Sequence, residues 1–160
     1  MSSARIRRAF ALVVAAAAFA WVGAAQALTI TPGTPELVAR VLVVVPVTVT
    51  CEPFSPGLTV SSQFVTVRVE QAAGKEIAFG TGTLGSTFDR PLFPCDGAEH
   101  TVSVNVLADP AGPPFHGGRA VLTAGASAQA GVPMPCCPGA FGPPFEFQQV
   151  SVAPTEVRLR

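Results

Sequence analysis

Apolar and polar residues alternate with a period of two over much of the chain. In residues 64–70, Val65, Val67 and Val69 share one face, while Thr66, Arg68 and Glu70 share the other. Residues 101–106 repeat the pattern, with Val102, Val104 and Val106 set between Thr101, Ser103 and Asn105. Successive side chains of a strand point to opposite faces, so both stretches predict antiparallel strands with one dry and one wet side. Residues 41–51 put Val41, Val43, Val45, Val47, Val49 and Cys51 on one face and Pro46 on the other. A proline nitrogen has no hydrogen for a ladder, so a break is expected at Pro46, with a second short strand over 47–51. Residues 119–130 alternate Ala120, Leu122, Ala124, Ala126, Ala128 and Ala130 with larger or polar residues, a face small enough for close approach of another layer. Further strands are expected over 28–31, 76–82, 99–107, 145–152 and 156–159.

Turn chemistry separates these runs. Pro32-Gly33, the segment 53–57, Gly74-Lys75, Asp96-Gly97, and the segment 109–118 with its Pro113-Pro114 and Gly117-Gly118 pairs all punctuate the pattern. Helix periodicity is nearly absent. About seven short strands with regular turns predict an all-β domain, a two-sheet antiparallel sandwich over residues 28–160. Residues 131–144, rich in Pro and Gly yet apolar, are expected to form a long loop.

The first 27 residues stand apart. Arg5, Arg7 and Arg8 precede an apolar run from 9 to 23, and Ala25-Gln26-Ala27 supplies a small-x-small cleavage site. That order of charge, apolar stretch and small residues is the pattern of a secretory signal peptide. The apolar run is short of the ~20 residues that a membrane-spanning helix needs. Cleavage after Ala27 is therefore expected, leaving a chain with no membrane attachment. It would also leave seven basic residues against ten acidic ones, a net charge of about −3. With no basic patch, the chain has nothing to track a phosphate backbone, and nucleic acid is not an expected partner.

In an exported protein the four cysteines, Cys51, Cys95, Cys136 and Cys137, are expected to be oxidised, and four cysteines allow three pairings. Cys51 closes one predicted strand and Cys95 lies just before another, a placement that favours joining these two. Cys136 and Cys137 are neighbours. They either bridge each other across a strained ring, which would make the bond reducible, or staple the long loop.

Residues that carry chemistry elsewhere find no matching context here. Gly80-Thr81-Gly82-Thr83-Leu84-Gly85 spells G-x-G-x-x-G, but no helix follows to receive a pyrophosphate, so it reads as a glycine-rich strand and turn and implies no cofactor. His100 and His116 lack the companions of a zinc site. Asp96, Glu99 and His100 cluster in sequence, yet strand geometry sends Glu99 and His100 to opposite faces. No G-x-S-x-G nucleophile occurs. The apolar residues of the two Pro/Gly-rich segments, Phe115, Met134, Phe141 and Phe145, are candidates for contact with a partner if exposed, and for packing over the end of the domain if not.

Several short motifs add a resemblance. Val47-Thr48-Val49-Thr50-Cys51, Gln71 and Gly74 ahead of Gly80-Thr81-Gly82, Cys95-Asp96-Gly97 leading into His100-Thr101-Val102, the Pro114-Phe115 turn before Gly118, the alanine-alternating strand and the closing Glu156-Val157-Arg158-Leu159 occur together. In these the chain resembles small secreted immunoglobulin-like domains of high-GC Gram-positive bacteria, mostly of unassigned function. The resemblance implies an immunoglobulin-like β-sandwich and carries over no catalytic residue. The expected role is a secreted, non-catalytic binding or structural module that meets a protein or a component of the cell envelope. The alternative is a small secreted enzyme or enzyme inhibitor acting through the segments 109–118 and 131–145.

Overall fold

The computed structural model describes residues 27–87 and 90–160. The leader expected over 1–27 lies, except for Ala27, outside the described residues. Eight strands follow one another: β1 (Leu28–Pro32), β2 (Glu36–Ala39), β3 (Leu42–Cys51), β4 (Thr59–Ala73), β5 (Glu76–Thr87), β6 (Glu99–Ala108), β7 (Gly118–Pro133) and β8 (Phe141–Leu159). Among the described residues there is no helix, and the all-β reading holds.

Every strand pair is antiparallel, and hydrogen bonding runs in the order β1-β3-β6-β5-β4-β7-β8, with β2 also on β3. The path has one weak link. β5 and β6 share only the pairs Gly80↔Ala108 and Thr81↔Leu107, whereas β3 and β6 pair continuously from Leu42↔Leu107 to Thr50↔Glu99. Beyond this narrow junction the sheet curls until its two ends meet. The Leu37 amide of β2 donates to the Arg160 carbonyl at 2.7 Å, and β1 lies against both β7 and β8. The result is nearly a barrel.

Apart from Val41, which is exposed in the turn before β3, the valine faces read from the sequence line its interior. Val43, Val45, Val47, Val49 and Cys51 of β3, Val65, Val67 and Val69 of β4, and Val104 and Val106 of β6 are all fully buried. Each buried valine contributes roughly 1.5–2 kcal/mol relative to its exposed state. The alanines of β7 are buried as well, and β1 comes within 8 Å of β7 between Cα atoms. Facing sheets ordinarily stand ~10 Å apart, so the missing side-chain bulk is what lets β1 settle there.

Three features differ from the sequence pattern. Pro46 does not break β3. Its carbonyl accepts from the Gly33 amide at 2.7 Å, and in an antiparallel strand the nitrogen of a residue faces the same side as its carbonyl. Pro46 therefore turns its hydrogen-less nitrogen toward the gap where β1 has ended and β2 has not begun, while it stays in register with Ser103 of β6. The break lies in the neighbouring strand. Residues 145–152 and 156–159 are one strand, β8, with an irregularity opposite Leu122 and Ala124. Finally, half of the segment 131–144 is strand rather than loop. β7 runs to Pro133 and β8 starts at Phe141, so the hairpin narrows to residues 134–140.

Candidate functional site

Two glutamines on β4 fall in phase with its valines and are buried with them. Gln63 donates from Nε2 to the Phe93 carbonyl at 2.7 Å and accepts at Oε1 from the amides of Leu92 at 2.8 Å and Phe93 at 3.3 Å. Gln71 donates to the His116 carbonyl at 2.7 Å and accepts from the His116 amide at 2.9 Å. Each side chain thus does for a crossing segment what a neighbouring strand would do, satisfying backbone groups that would otherwise be buried unpaired. A third, Gln148 of β8, donates to the Glu52 carbonyl at 2.9 Å and holds the segment after β3. These glutamines were not singled out for such a role in the sequence. Their parity with Val65, Val67 and Val69 is the signal that marks them.

The disulfide joins Cys51 and Cys95, tying the end of β3 to the same segment that Gln63 grips. Next to it, Asp96 Oδ1 accepts from the Ala98 amide at 2.9 Å and lies 2.9 Å from His100 Nε2. The hydrogen bond from His100, with that from Ala98, holds the Asp96 carboxyl below its usual range. Glu99 points to the other face, as strand geometry requires. Among the described residues no group of three or more His, Cys, Asp or Glu is placed to hold a metal ion.

The G-x-G-x-x-G stretch lies inside β5 and serves its junction with β6. A Cβ on Gly80 would strike the Leu107 carbonyl, and one on Gly82 the Asn105 carbonyl. Bare backbone is required there because two strands cross at close quarters.

The residues proposed for partner contact divide. Phe115 is fully buried against Gly80 and belongs to the core, which removes it from any contact surface. Met134, Phe141 and Phe145 do come together, at the β7–β8 tip. There the chain makes two successive turns: the Cys137 amide donates to the Met134 carbonyl at 3.2 Å, and the Ala140 amide to the Cys137 carbonyl at 2.9 Å. Pro135 and Pro138 take the second position of each turn, and Gly139, with φ of 83°, supplies the left-handed third position of a type II turn. The Met134 amide closes the hairpin by donating to the Ala140 carbonyl at 2.9 Å. Behind the turns, the rings of Phe145 and the Cβ of Phe141 lie over Gly131, where an added Cβ would meet Phe145 at 2.8 Å.

Phe147, a strand residue that alternation alone makes outward-facing, extends this cluster. It is 71% exposed, while Phe145, Met134 and Val132 are partly so. No charged residue occurs between positions 131 and 145. The neutral character continues down the outer face, where Gly125 and Ser127 floor a shallow depression of about 220 Å³ bordered by Phe64, Gln149 and Ser151. Charge collects at the opposite end, with Arg68 paired to Glu70 at 2.6 Å and stacked 5.7 Å from the Phe79 ring, and Arg119 near Glu156 at 3.4 Å.

Cys136 and Cys137 sit on the tip itself. Both are exposed thiols, with sulfurs 2.8 Å apart, and the hydrogen bond between them holds the Cys137 thiol above its ordinary value. No family model, curated protein or solved structure matches this chain.

Proposed function

We propose that the chain is a secreted, non-catalytic binding module with an immunoglobulin-like β-sandwich fold, which meets a protein or envelope component through the β7–β8 tip and the neutral half of the outer face. The observation that carries this reading is Phe147. A phenylalanine exposed on a regular strand, with Phe145, Met134 and Val132 beside it, leaves apolar area in water that a partner would remove. Two further features support it. The narrow β5–β6 junction divides the strands into β1, β2, β3 and β6 on one side and β5, β4, β7 and β8 on the other, the arrangement of two layers joined at a corner. The Cys51–Cys95 bond suits an oxidising compartment, and β1 starts at Leu28, directly after the cleavage site expected from the sequence.

The test is retention of a partner from culture supernatant or envelope extract by the processed protein, compared with Phe147→Ser. Wild type is expected to retain a component that the variant loses, while both unfold at the same temperature. Retention that ignores Phe147→Ser and Phe145→Ser alike would place the contact elsewhere. Turnover of a substrate by the purified protein would overturn the non-catalytic reading.

A further inference from the structure

Cys136 and Cys137 take no part in the core, and the chain's other two cysteines, Cys51 and Cys95, are bonded to each other. Neither tip sulfur therefore has a partner left within the chain except its neighbour, so a staple from the tip to the rest of the domain is ruled out. The fold brings the two together. Neighbouring side chains in an extended strand point apart, whereas here the sulfurs stand 2.8 Å from each other. The two proline-led turns, the three tip hydrogen bonds and the left-handed Gly139 hold the backbone that way. Bonded sulfurs are about 2.05 Å apart, so less than about 1 Å of approach remains. Both are exposed, within reach of an oxidant in the surroundings.

The character of such a bond follows from its place. The peptide between the two residues is trans, so their Cα atoms stand about 3.8 Å apart, below the usual range of a disulfide. A bond closed across so short a span is strained, and strained, exposed disulfides are the readily reduced ones. It also closes almost no loop, so it restricts the unfolded chain little and adds little stability. Cys51–Cys95 differs on each count, since it spans 44 residues and Cys51 is fully buried. The chain thus carries one pair suited to holding the fold and one suited to opening and closing without disturbing it.

We propose that Cys136 and Cys137 are a site of reversible oxidation, closed outside the cytoplasm to a vicinal disulfide at the β7–β8 tip by exchange with an external disulfide and reopened by thiols. One cysteine sulfur attacks the external disulfide, joins one of its sulfurs and expels the other as a thiolate. The neighbouring cysteine then displaces the joined sulfur and forms the bond within the pair. Two protons and two electrons pass from the pair to the external disulfide, which becomes two thiols, and reopening is the reverse. The inference rests on the exported reading proposed above, because only an oxidising compartment keeps such a bond closed.

The experiment is mass spectrometry of the protein collected from culture medium without reductant, alkylated with iodoacetamide and cut with trypsin. The fragment 120–158 carries both tip cysteines and neither of the others. It is expected unalkylated and two hydrogens lighter than its reduced form, with Cys51–Cys95 intact in the same sample. In a dithiothreitol series on the folded protein, the tip should open at a concentration at least tenfold below that which opens Cys51–Cys95. The double variant Cys136→Ser with Cys137→Ser should unfold at the wild-type temperature. Alkylation of both tip thiols beside an intact Cys51–Cys95 bond would overturn this proposal alone, whereas free thiols at all four positions would overturn the exported reading with it. A tip disulfide to a second copy, a tip that opens no earlier than Cys51–Cys95, or a lowered midpoint in the double variant would each overturn it too.

Discussion

Gln63 illustrates how much a single side chain can hold. Its amide satisfies two backbone amides and one carbonyl of the segment after β5, in a place where water does not reach. Gln63→Leu keeps the volume but leaves those groups without partners, at roughly 1–3 kcal/mol for each buried group that stays unpaired. A loss of about 3 kcal/mol is expected, read as a lower urea midpoint with an unchanged slope. Asp96 offers a quieter test at the same scale. Its folded carboxyl titrates lower than the unfolded one, so the His100 bond adds stability above the ordinary carboxylate range and loses it as the pH drops through the folded value. In a carboxyl-resolved NMR titration, His100→Gln should bring the Asp96 midpoint back up toward the usual range. A midpoint that stays put would remove His100 as the main cause.

At the scale of elements, the β5–β6 junction depends on glycine in a way that can be separated from composition. Gly82→Ala would drive a methyl into the Asn105 carbonyl and the Val104 side chain, neither of which can yield without moving β6. Such overpacking costs about 1–3 kcal/mol. Gly85→Ala meets only the exposed ring edge of Phe64, which can swing aside, and should change stability by under about 1 kcal/mol. Equal losses in thermal denaturation would mean that the junction is not the reason for Gly82. This junction was illegible in the sequence because it depends on what crosses β5, not on the pattern within it. Strands β3, β4, β6 and β7 were legible because each carries its own alternation. Pro46 misled because the partner it spares is 13 residues away, at Gly33. The β7–β8 tip was read as a loop because its prolines outweighed the two turns that Pro135 and Pro138-Gly139 spell out.

For the whole molecule, pattern announces an all-β domain but not the strand path, since antiparallel register between residues 42–51 and 99–108 is decided by partners far apart in sequence. Two devices secure that distant pairing: the Cys51–Cys95 bond and the Gln63 bracket, both acting on the segment between β5 and β6. The bond spans 44 residues, and restricting a loop of that length in the unfolded chain stabilises by about 4 kcal/mol in the chain-entropy model. Cys51→Ala with Cys95→Ala should therefore lower unfolding free energy by about 3–4 kcal/mol, against small domains whose total is roughly 5–15 kcal/mol. Because the bracket and the bond position one segment, their losses should not add. Without the bond, the segment can leave the core and hydrate the amides that Gln63 had served, so Gln63→Leu should cost less in that background than in wild type. A double-mutant cycle by urea denaturation checks this, with coupling of about 0.5–3 kcal/mol expected between groups that share a partner. Strict additivity would instead mean that the segment stays docked on hydrophobic contact alone, through Phe93, which is buried in the core.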